Sequence, residues 1–101
     1  MVLYSITFNV EKGIEKEWLH YIKEAYIPLV LKTGHFKESK VLRLLNEELA
    51  TEGITYSLQY LTDSVPVLTD FRLNYEAALE ENLYKKFAGN FVFFKTWLEE
   101  V

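Results

Sequence analysis

Residues 91–98 read Phe91-Val92-Phe93-Phe94-Lys95-Thr96-Trp97-Leu98. Neighbouring side chains of an extended strand point to opposite faces of a sheet, and this stretch carries apolar side chains in both directions. In a chain of 101 residues the helices can cover only one face of such a sheet. We therefore expect a second copy of the chain on the other face, in a homodimer built sheet against sheet.

Composition predicts one globular domain over residues 1–101, because 50% of the residues are hydrophobic and 26% are charged. A chain of this size buries roughly two thirds of its unfolded surface, so an oligomeric partner would add to its stability.

The net charge of −4 argues against nucleic acid as a partner, since phosphate binding needs clustered Lys and Arg side chains. The longest apolar runs fall short of the roughly 20 residues that span a bilayer, and the N-terminus lacks the features of a signal peptide. We expect a cytoplasmic protein that does not bind membranes. The chain has no cysteine, and its two histidines suggest no metal pair, so we expect no metal and no cofactor.

Three further strands precede the quoted stretch. Alternating apolar residues predict a strand from Val2 to Val10, another from Phe36 to about Leu45, and a third over Ile54 to Thr62. The second and third strands should form a hairpin through residues 46–53, and the first and third should lie at the centre of the sheet.

Two amphipathic helices connect these strands. The first begins near Ile14, and Pro28 should kink or break it and so open the helix layer, before a turn that ends at Gly34. The second begins after Ser64, and its apolar positions beyond residue 82 lie opposite its first apolar stripe. We expect this helix to bend and to stop at Gly89.

The order β-α-β-β-α-β predicts an α+β fold of the ferredoxin-like type, a four-stranded antiparallel sheet with two helices on one face. A set of small polar side chains would line the other face: Ser5, Thr7, Asn9, Thr55, Ser57 and Gln59. We expect the dimer interface to include Ser57 and Gln59, together with Phe93 and Trp97 of the last strand. The pattern leaves open which face of that strand meets the partner.

Several segments resemble those of a family of small uncharacterised bacterial proteins classed as a domain of unknown function. The resemblance runs from about Tyr4 to Phe91 and is carried by residues 18–22, Ile27-Pro28, residues 33–36, residues 42–45 and residues 55–60. That family is similar to the dimeric α/β-barrel superfamily, which includes cofactor-free monooxygenases, haem-degrading enzymes and muconolactone isomerase. The residue before Ile-Pro is often histidine in the family, whereas this chain has Tyr26.

A ligand site is conceivable between the sheet and the helices. Tyr4, Tyr56 and Tyr60 face the helices, and Trp18 and Tyr26 would lie above them. These side chains either line a pocket for a small apolar or aromatic ligand, with the hydroxyl groups setting its orientation, or simply fill the core. Arg43 and Arg72 either bind an anion or pair with acidic side chains.

Three functions remain open. In the first, the chain is a homodimer without demonstrable enzymatic activity that acts through self-association and can bind a small apolar or aromatic ligand between sheet and helices. In the second, it is a cofactor-independent monooxygenase or isomerase acting on aromatic or quinone-like substrates. In the third, it is an interaction subunit for a larger partner. The third rests on apolar residues outside the helix stripes, Leu73, Tyr84 and Phe87. Motifs for a catalytic triad, a dinucleotide or a phosphate loop are absent from the sequence.

Overall fold

The computed structural model describes residues 1–45 and 52–101. Its four strands form one antiparallel sheet: β1 (Val2–Val10), β2 (Glu38–Arg43), β3 (Ile54–Thr62) and β4 (Phe91–Glu99). The order across the sheet is β2-β3-β1-β4, so the first and third strands are central, as predicted.

The second strand is shorter than the predicted range of Phe36 to about Leu45. Backbone hydrogen bonds from Lys37 to Leu61 and from Leu44 to Thr55 nevertheless extend its pairing with β3 beyond the strand ends. The predicted antiparallel pairing of β2 with β3 is confirmed. Most of the connection predicted over residues 46–53 lies outside the described residues.

The first helix runs through residues 15–32 in three parts: α1 (Glu15–Tyr21), a π turn (Ile22–Tyr26) and α2 (Ile27–Lys32). The predicted break at Pro28 is wrong. The Ile27 N–H bonds to the carbonyl of Ile22, five residues back, so the chain widens just before the proline. Pro28 then occupies the start of α2, where its missing donor is tolerated, and the helix continues.

The second helix covers residues 65–87 with the same construction: α3 (Val65–Phe71), a π turn (Arg72–Glu76) and α4 (Ala77–Phe87). On a regular helix the apolar positions beyond residue 82 would lie opposite the first apolar stripe. The π turn contains one extra residue, which rotates the rest of the helix and brings both sets of positions to the same side. Leu83 and Phe87 are consequently buried with Leu68 and Phe71. The helix ends before Gly89, whose φ of 81° suits glycine.

Both helices pack on one face of the sheet, and the fold is ferredoxin-like. Alternate residues of β1 and β3 form the sheet side of the core: Val2, Tyr4, Ile6, Phe8, Val10, Tyr56, Leu58 and Tyr60. The helices form its other side, chiefly with Trp18, Ile22, Tyr26, Val30, Leu68, Phe71, Leu83 and Phe87. The opposite face of the sheet carries no helix in the described part of the chain.

Candidate functional site

Each π turn ends on a side chain that enters the core. The first ends at Tyr26 and the second at Glu76, and both residues are buried. The buried positions of the second helix step from Phe71 to Glu76, five residues on, where a regular helix would turn Tyr75 inward. The wide turn therefore brings a carboxylate to the sheet in place of an aromatic ring.

Three donors surround the buried Glu76 carboxylate. The hydroxyl of Tyr4 donates a hydrogen bond to Oε2. Arg72 Nε donates to Oε1 over 3.1 Å, and Lys95 Nζ lies 3.3 Å from the same oxygen. Lys95 also contacts Glu80, with Nζ 2.9 Å from Oε2. We call these residues the Glu76 cluster: Tyr4, Arg72, Glu76, Glu80 and Lys95.

The cluster balances two carboxylates against two cations. Moving an isolated carboxylate out of water is strongly unfavourable, so a buried one needs opposite charges and hydrogen bonds. Glu76 is only 4% exposed and receives both. The cluster is thus a charge-neutral polar site at the border of a core of aromatic and aliphatic side chains.

Two further tyrosines lie in the electrostatic range of this carboxylate. Tyr60 pairs with Tyr4 across the two central strands, with ring centroids 6.4 Å apart. Burial raises the pKa of Tyr60 far above its usual value, and the Glu76 charge adds to the effect. Burial likewise raises the pKa of Tyr26, with contributions from Tyr60 and Glu80. These phenols remain protonated at every physiological pH.

The Tyr60 hydroxyl has no hydrogen-bond partner among the described residues, although the side chain is only 1% exposed. Leaving a buried donor unsatisfied costs about 1–3 kcal/mol. Buried polar groups in folded proteins usually form hydrogen bonds to protein or to ordered water, so we expect this hydroxyl to form a hydrogen bond with a water or ligand molecule.

Trp97 and Arg72 form the outer boundary of the cluster. The Arg72 guanidinium carbon lies 4.6 Å from the centre of the Trp97 ring, which is half exposed. Trp97 meets Tyr4 edge to face, with centroids 6.4 Å apart. A solvent-facing cation–π pair therefore stands between water and the Tyr4 hydroxyl.

The predicted ligand residues divide into two groups. Tyr4, Tyr26 and Tyr60 lie around Glu76. Trp18 and Tyr56 are buried together elsewhere in the core, with ring centroids 5.2 Å apart. The Trp18 Nε1 atom also has no partner in the described ranges.

The predicted interface residues are split between the two faces of the sheet. Phe93 pairs with Phe8 and Trp97 pairs with Tyr4, so both point towards the helices. Ser57 and Gln59 lie on the open face, where Gln59 Nε2 donates to Ser57 Oγ over 3.2 Å. The side chains of β4 that share their face are Val92, Phe94, Thr96 and Leu98. The four residues cannot form one surface.

The open face has an ordered pattern of polar and apolar side chains. A row across all four strands reads Leu42, Ser57, Thr7, Phe94. The next row reads Leu44, Thr55, Asn9, Val92. In these two rows the central strands carry polar side chains and the edge strands carry apolar ones, whereas the row Lys40, Gln59, Ser5, Thr96 is polar throughout. The central groups bond to each other, Ser5 to Ser57 over 3.1 Å and Asn9 to Thr55 over 3.0 Å.

Other features in the sequence have structural explanations. Of the set proposed for a larger partner, Phe87 is buried, Tyr84 is 36% exposed but stacks on Phe91 and Phe93, and Leu73 is 78% exposed. His35 Nε2 contacts Asp70 over 2.6 Å and links the turn after the first helix to the second helix.

Two properties concern membranes and metals. Within residues 1–45 and 52–101, no helix is long and apolar enough to cross a membrane. The same ranges contain no group of three or more His, Cys, Asp or Glu side chains that could hold a metal ion.

Sequence reasoning missed Glu76, the centre of the site. It noted Arg72 as an ion that either binds an anion or pairs with an acid, and the structure pairs it with Glu76. The spacing of Arg72 and Glu76 is that of an ordinary exposed helical ion pair. The available signal was the failure of one straight helix to bury Leu83 and Phe87 together with Phe71.

Comparisons with known proteins place the chain among ferredoxin-like folds. A crystal structure of an ethyl tert-butyl ether d (ethd) family protein from Bacillus halodurans c-125 has 18% identity and a TM-score of 0.72, with all of both chains covered. The hydroxynitrile lyase of Passiflora edulis has 21% identity and a TM-score of 0.62, over 99% of this chain and 95% of that one. A dimeric ferredoxin-like protein from an uncultured marine organism has 11% identity and a TM-score of 0.66, over 99% and 98%.

These likenesses are of fold alone, since all three identities are low. No curated protein matches the chain significantly. The family model described as "Domain of unknown function (DUF4286)" matches residues 1–101, and the chain therefore belongs to the DUF4286 family.

Proposed function

We propose that the protein is a homodimer, joined through its open sheet faces, that binds a small apolar or aromatic molecule between sheet and helices. Tyr4, Tyr26 and Tyr60 would contact the ligand, and Trp18 and Tyr56 would close the far end of the same layer. The observation that carries the binding proposal is the buried, unpartnered Tyr60 hydroxyl.

Tyr60 supports a ligand because aromatic rings pack against its own ring. Its ring lies 4.9 Å from that of Phe36, which in turn lies 4.9 Å from the ring of Phe71. A largely apolar layer that holds the Tyr60 hydroxyl and the buried Glu76 carboxylate has the character of a small-molecule site, in which apolar walls give affinity and few polar groups give orientation.

Access to this layer would pass Trp97 and Arg72. The Trp97 side chain is 50% exposed and lies on the edge strand β4, so it can rotate without disturbing the central strands. Arg72 holds Glu76 through Nε alone, and the rest of its guanidinium group can follow the ring. A ligand would take the place of the indole above Tyr4.

The open face supports the homodimer. Phe94 is 61% exposed there, and Val92, Leu98 and Leu42 are also exposed. Phe94, Val92 and Leu44 border a cleft of about 400 Å³ on this face. Two-fold rotation of a second copy would set apolar edges against apolar edges, and the central polar side chains already satisfy one another. An identical chain is therefore the partner whose surface fits.

An enzyme acting without a cofactor on aromatic or quinone-like substrates is the second candidate. The Tyr4–Glu76 hydrogen bond favours it, because the Tyr4 oxygen can take a proton from a bound substrate while Tyr4 passes its own proton to the Glu76 carboxylate. Such an enzyme would lose turnover in the Tyr4→Phe variant while still binding its substrate.

Native mass spectrometry of protein purified gently from its own host tests both parts of the proposal. We expect twice the chain mass with a reproducible small-molecule adduct, and loss of the adduct but not of the dimer in Tyr60→Phe. A bare dimer from repeated preparations would remove the support for a retained ligand. A monomer would overturn the sheet-to-sheet interface.

A further inference from the structure

We infer that the ligand presents a neutral hydroxyl group, as a phenol or an enol does, to the paired tyrosines Tyr4 and Tyr60. This inference rests on the ligand site proposed above and adds the chemical class of the group that binds there. It follows from counting the donors and acceptors that the site leaves open.

Tyr4 can only accept a further hydrogen bond. A phenol has one O–H donor and an oxygen that can also accept. The Tyr4 hydroxyl donates its one hydrogen bond to Glu76 Oε2, and the charges of Arg72 and Lys95 keep that carboxylate in place. Any group that forms a further hydrogen bond with Tyr4 must therefore donate that bond to the Tyr4 oxygen.

Tyr60 can donate, because its proton has no acceptor among the residues that the structure describes. The Tyr4 and Tyr60 rings occupy paired positions on adjacent central strands, 6.4 Å apart between centroids and inclined by 32°. One ligand group situated between their hydroxyls would have to accept from Tyr60 and donate to Tyr4.

A hydroxyl group does both. An ether or ketone oxygen would satisfy Tyr60 and leave Tyr4 without a donor, while an ammonium group would satisfy Tyr4 and leave Tyr60 without an acceptor. Only a group that is donor and acceptor at once completes the pair.

The charges of the cluster disfavour an anionic ligand. Arg72 Nε and Lys95 Nζ are already engaged by Glu76 and Glu80, at distances of 2.9 to 3.3 Å. A third carboxylate would meet the two negative charges of Glu76 and Glu80, which already balance Arg72 and Lys95, in surroundings of low dielectric. The neutral form of an acidic hydroxyl avoids this repulsion.

The test compares three probes that share one ring: 4-fluorophenol, 4-fluoroanisole and 4-fluorobenzoate. Fluorine NMR titration of the intact protein gives a dissociation constant for each. We expect the phenol to bind at least about tenfold more tightly than the other two. Tyr60→Phe, which keeps the ring and the packing, should reduce this preference by about tenfold. Tyr75→Phe, which removes a hydroxyl from a half-exposed side chain outside the cluster, should leave it unchanged.

Each other result is decisive. Equal binding of phenol and anisole would overturn the hydroxyl inference and leave the ligand site standing. Preference for the benzoate would also overturn it and would point to Arg72 as an anion receptor. Failure of all three probes to bind would contradict both this inference and the proposed site, and would make ordered water the partner of Tyr60. A phenol preference that survives Tyr60→Phe would place the bound hydroxyl elsewhere.

Discussion

The two faces of the sheet handle polar groups in opposite ways. On the face covered by helices, Glu76 is buried and its charge is matched by Arg72 and Lys95. On the open face, Ser57 and Thr55 bond to neighbouring hydroxyl and amide groups, while apolar side chains on the edges remain exposed. The buried charge of one face is balanced within a single chain, whereas the other face leaves apolar side chains exposed.

This difference is the reason that we propose ligand binding on one face of the sheet and association on the other. A buried charge is tolerated only where several elements supply partners, which is why we propose the ligand site on the helix side. Hydrogen-bonded polar side chains beside exposed apolar ones suit an interface, which is why we propose association through the open face.

The largest effect we expect comes from alkaline pH and concerns the helix side. Folding raises the pKa of Tyr4, Tyr26 and Tyr60, chiefly through burial, above the usual tyrosine value of 10.0. Their contribution to stability is therefore complete below pH 10.0 and is lost as the pH rises above it, by about 1.4 kcal/mol per pH unit for each tyrosine. Urea unfolding at stepped pH, with tyrosinate absorbance, measures this loss.

We expect tyrosinate absorbance from these residues to appear together with unfolding. Tyr60→Phe should reduce the pH slope by the share of one tyrosine. Full ionisation of the buried phenols in protein that remains folded would show that the helix side is open to water, and the contrast between the faces would fail.

A charge on the open face is the next largest perturbation. Phe94→Asp should weaken the dimer at least about a hundredfold, or roughly 3 kcal/mol, because it buries an unpaired carboxylate in place of an aromatic ring. Sedimentation equilibrium gives the dissociation constant, and circular dichroism confirms that the monomer keeps its sheet. Leu73→Asp is the matched control, since Leu73 is 78% exposed on the second helix. An unchanged dimer in Phe94→Asp would exclude the open face.

The charge balance on the helix side can be broken by Glu76→Gln. Arg72 and Lys95 would lose their shared counter-charge, and we expect a loss of about 2 kcal/mol in the free energy of unfolding. The full cost of an unpaired buried charge does not apply, because both cations have some contact with water and Lys95 keeps Glu80.

Glu81→Gln is the control for this change. Glu81 pairs with Lys85 on the exposed side of the second helix, so its replacement should cost less than about 0.5 kcal/mol. Equal losses from the two variants, measured by urea unfolding, would mean that burial gives Glu76 no special part in stability.

The strands could be predicted from sequence because the alternation of side chains between two faces does not depend on how a strand pairs with its neighbours. Tyr4 and Tyr60 were placed on the correct face for this reason. The sheet order could be predicted from the order of the elements, β-α-β-β-α-β. The helices were harder, because their period can change within one element. Pro28 is a standard signal for a break, yet a π turn at Ile22–Tyr26 lets the helix pass it.

The same cause hid the site. Glu76 reads as an exposed partner of Arg72 on a regular helix, and only the wide turn at Arg72–Glu76 directs it to the sheet. The split of Phe93 and Trp97 from Ser57 and Gln59 was undetermined for another reason. A strand with apolar side chains on both faces does not reveal which face the helices cover, and that depends on its register with β1.

The smallest and most discriminating effect separates two tyrosines that are neighbours in the sheet. Tyr4→Phe removes a hydrogen bond to a buried carboxylate, and we expect a loss of about 1.5 kcal/mol in the free energy of unfolding. Tyr60→Phe removes a buried hydroxyl with no protein partner in the described chain, so it relieves a desolvation cost and should raise the free energy of unfolding by about 1 kcal/mol. Urea unfolding of ligand-free protein measures both. Equal losses would mean that Tyr60 has a tightly held partner, such as ordered water, in the free protein. A stable Tyr60→Phe that no longer retains the small molecule would instead show that the hydroxyl stays unpaired in the free protein and serves binding, because a group that adds nothing to the fold must owe its place to something else.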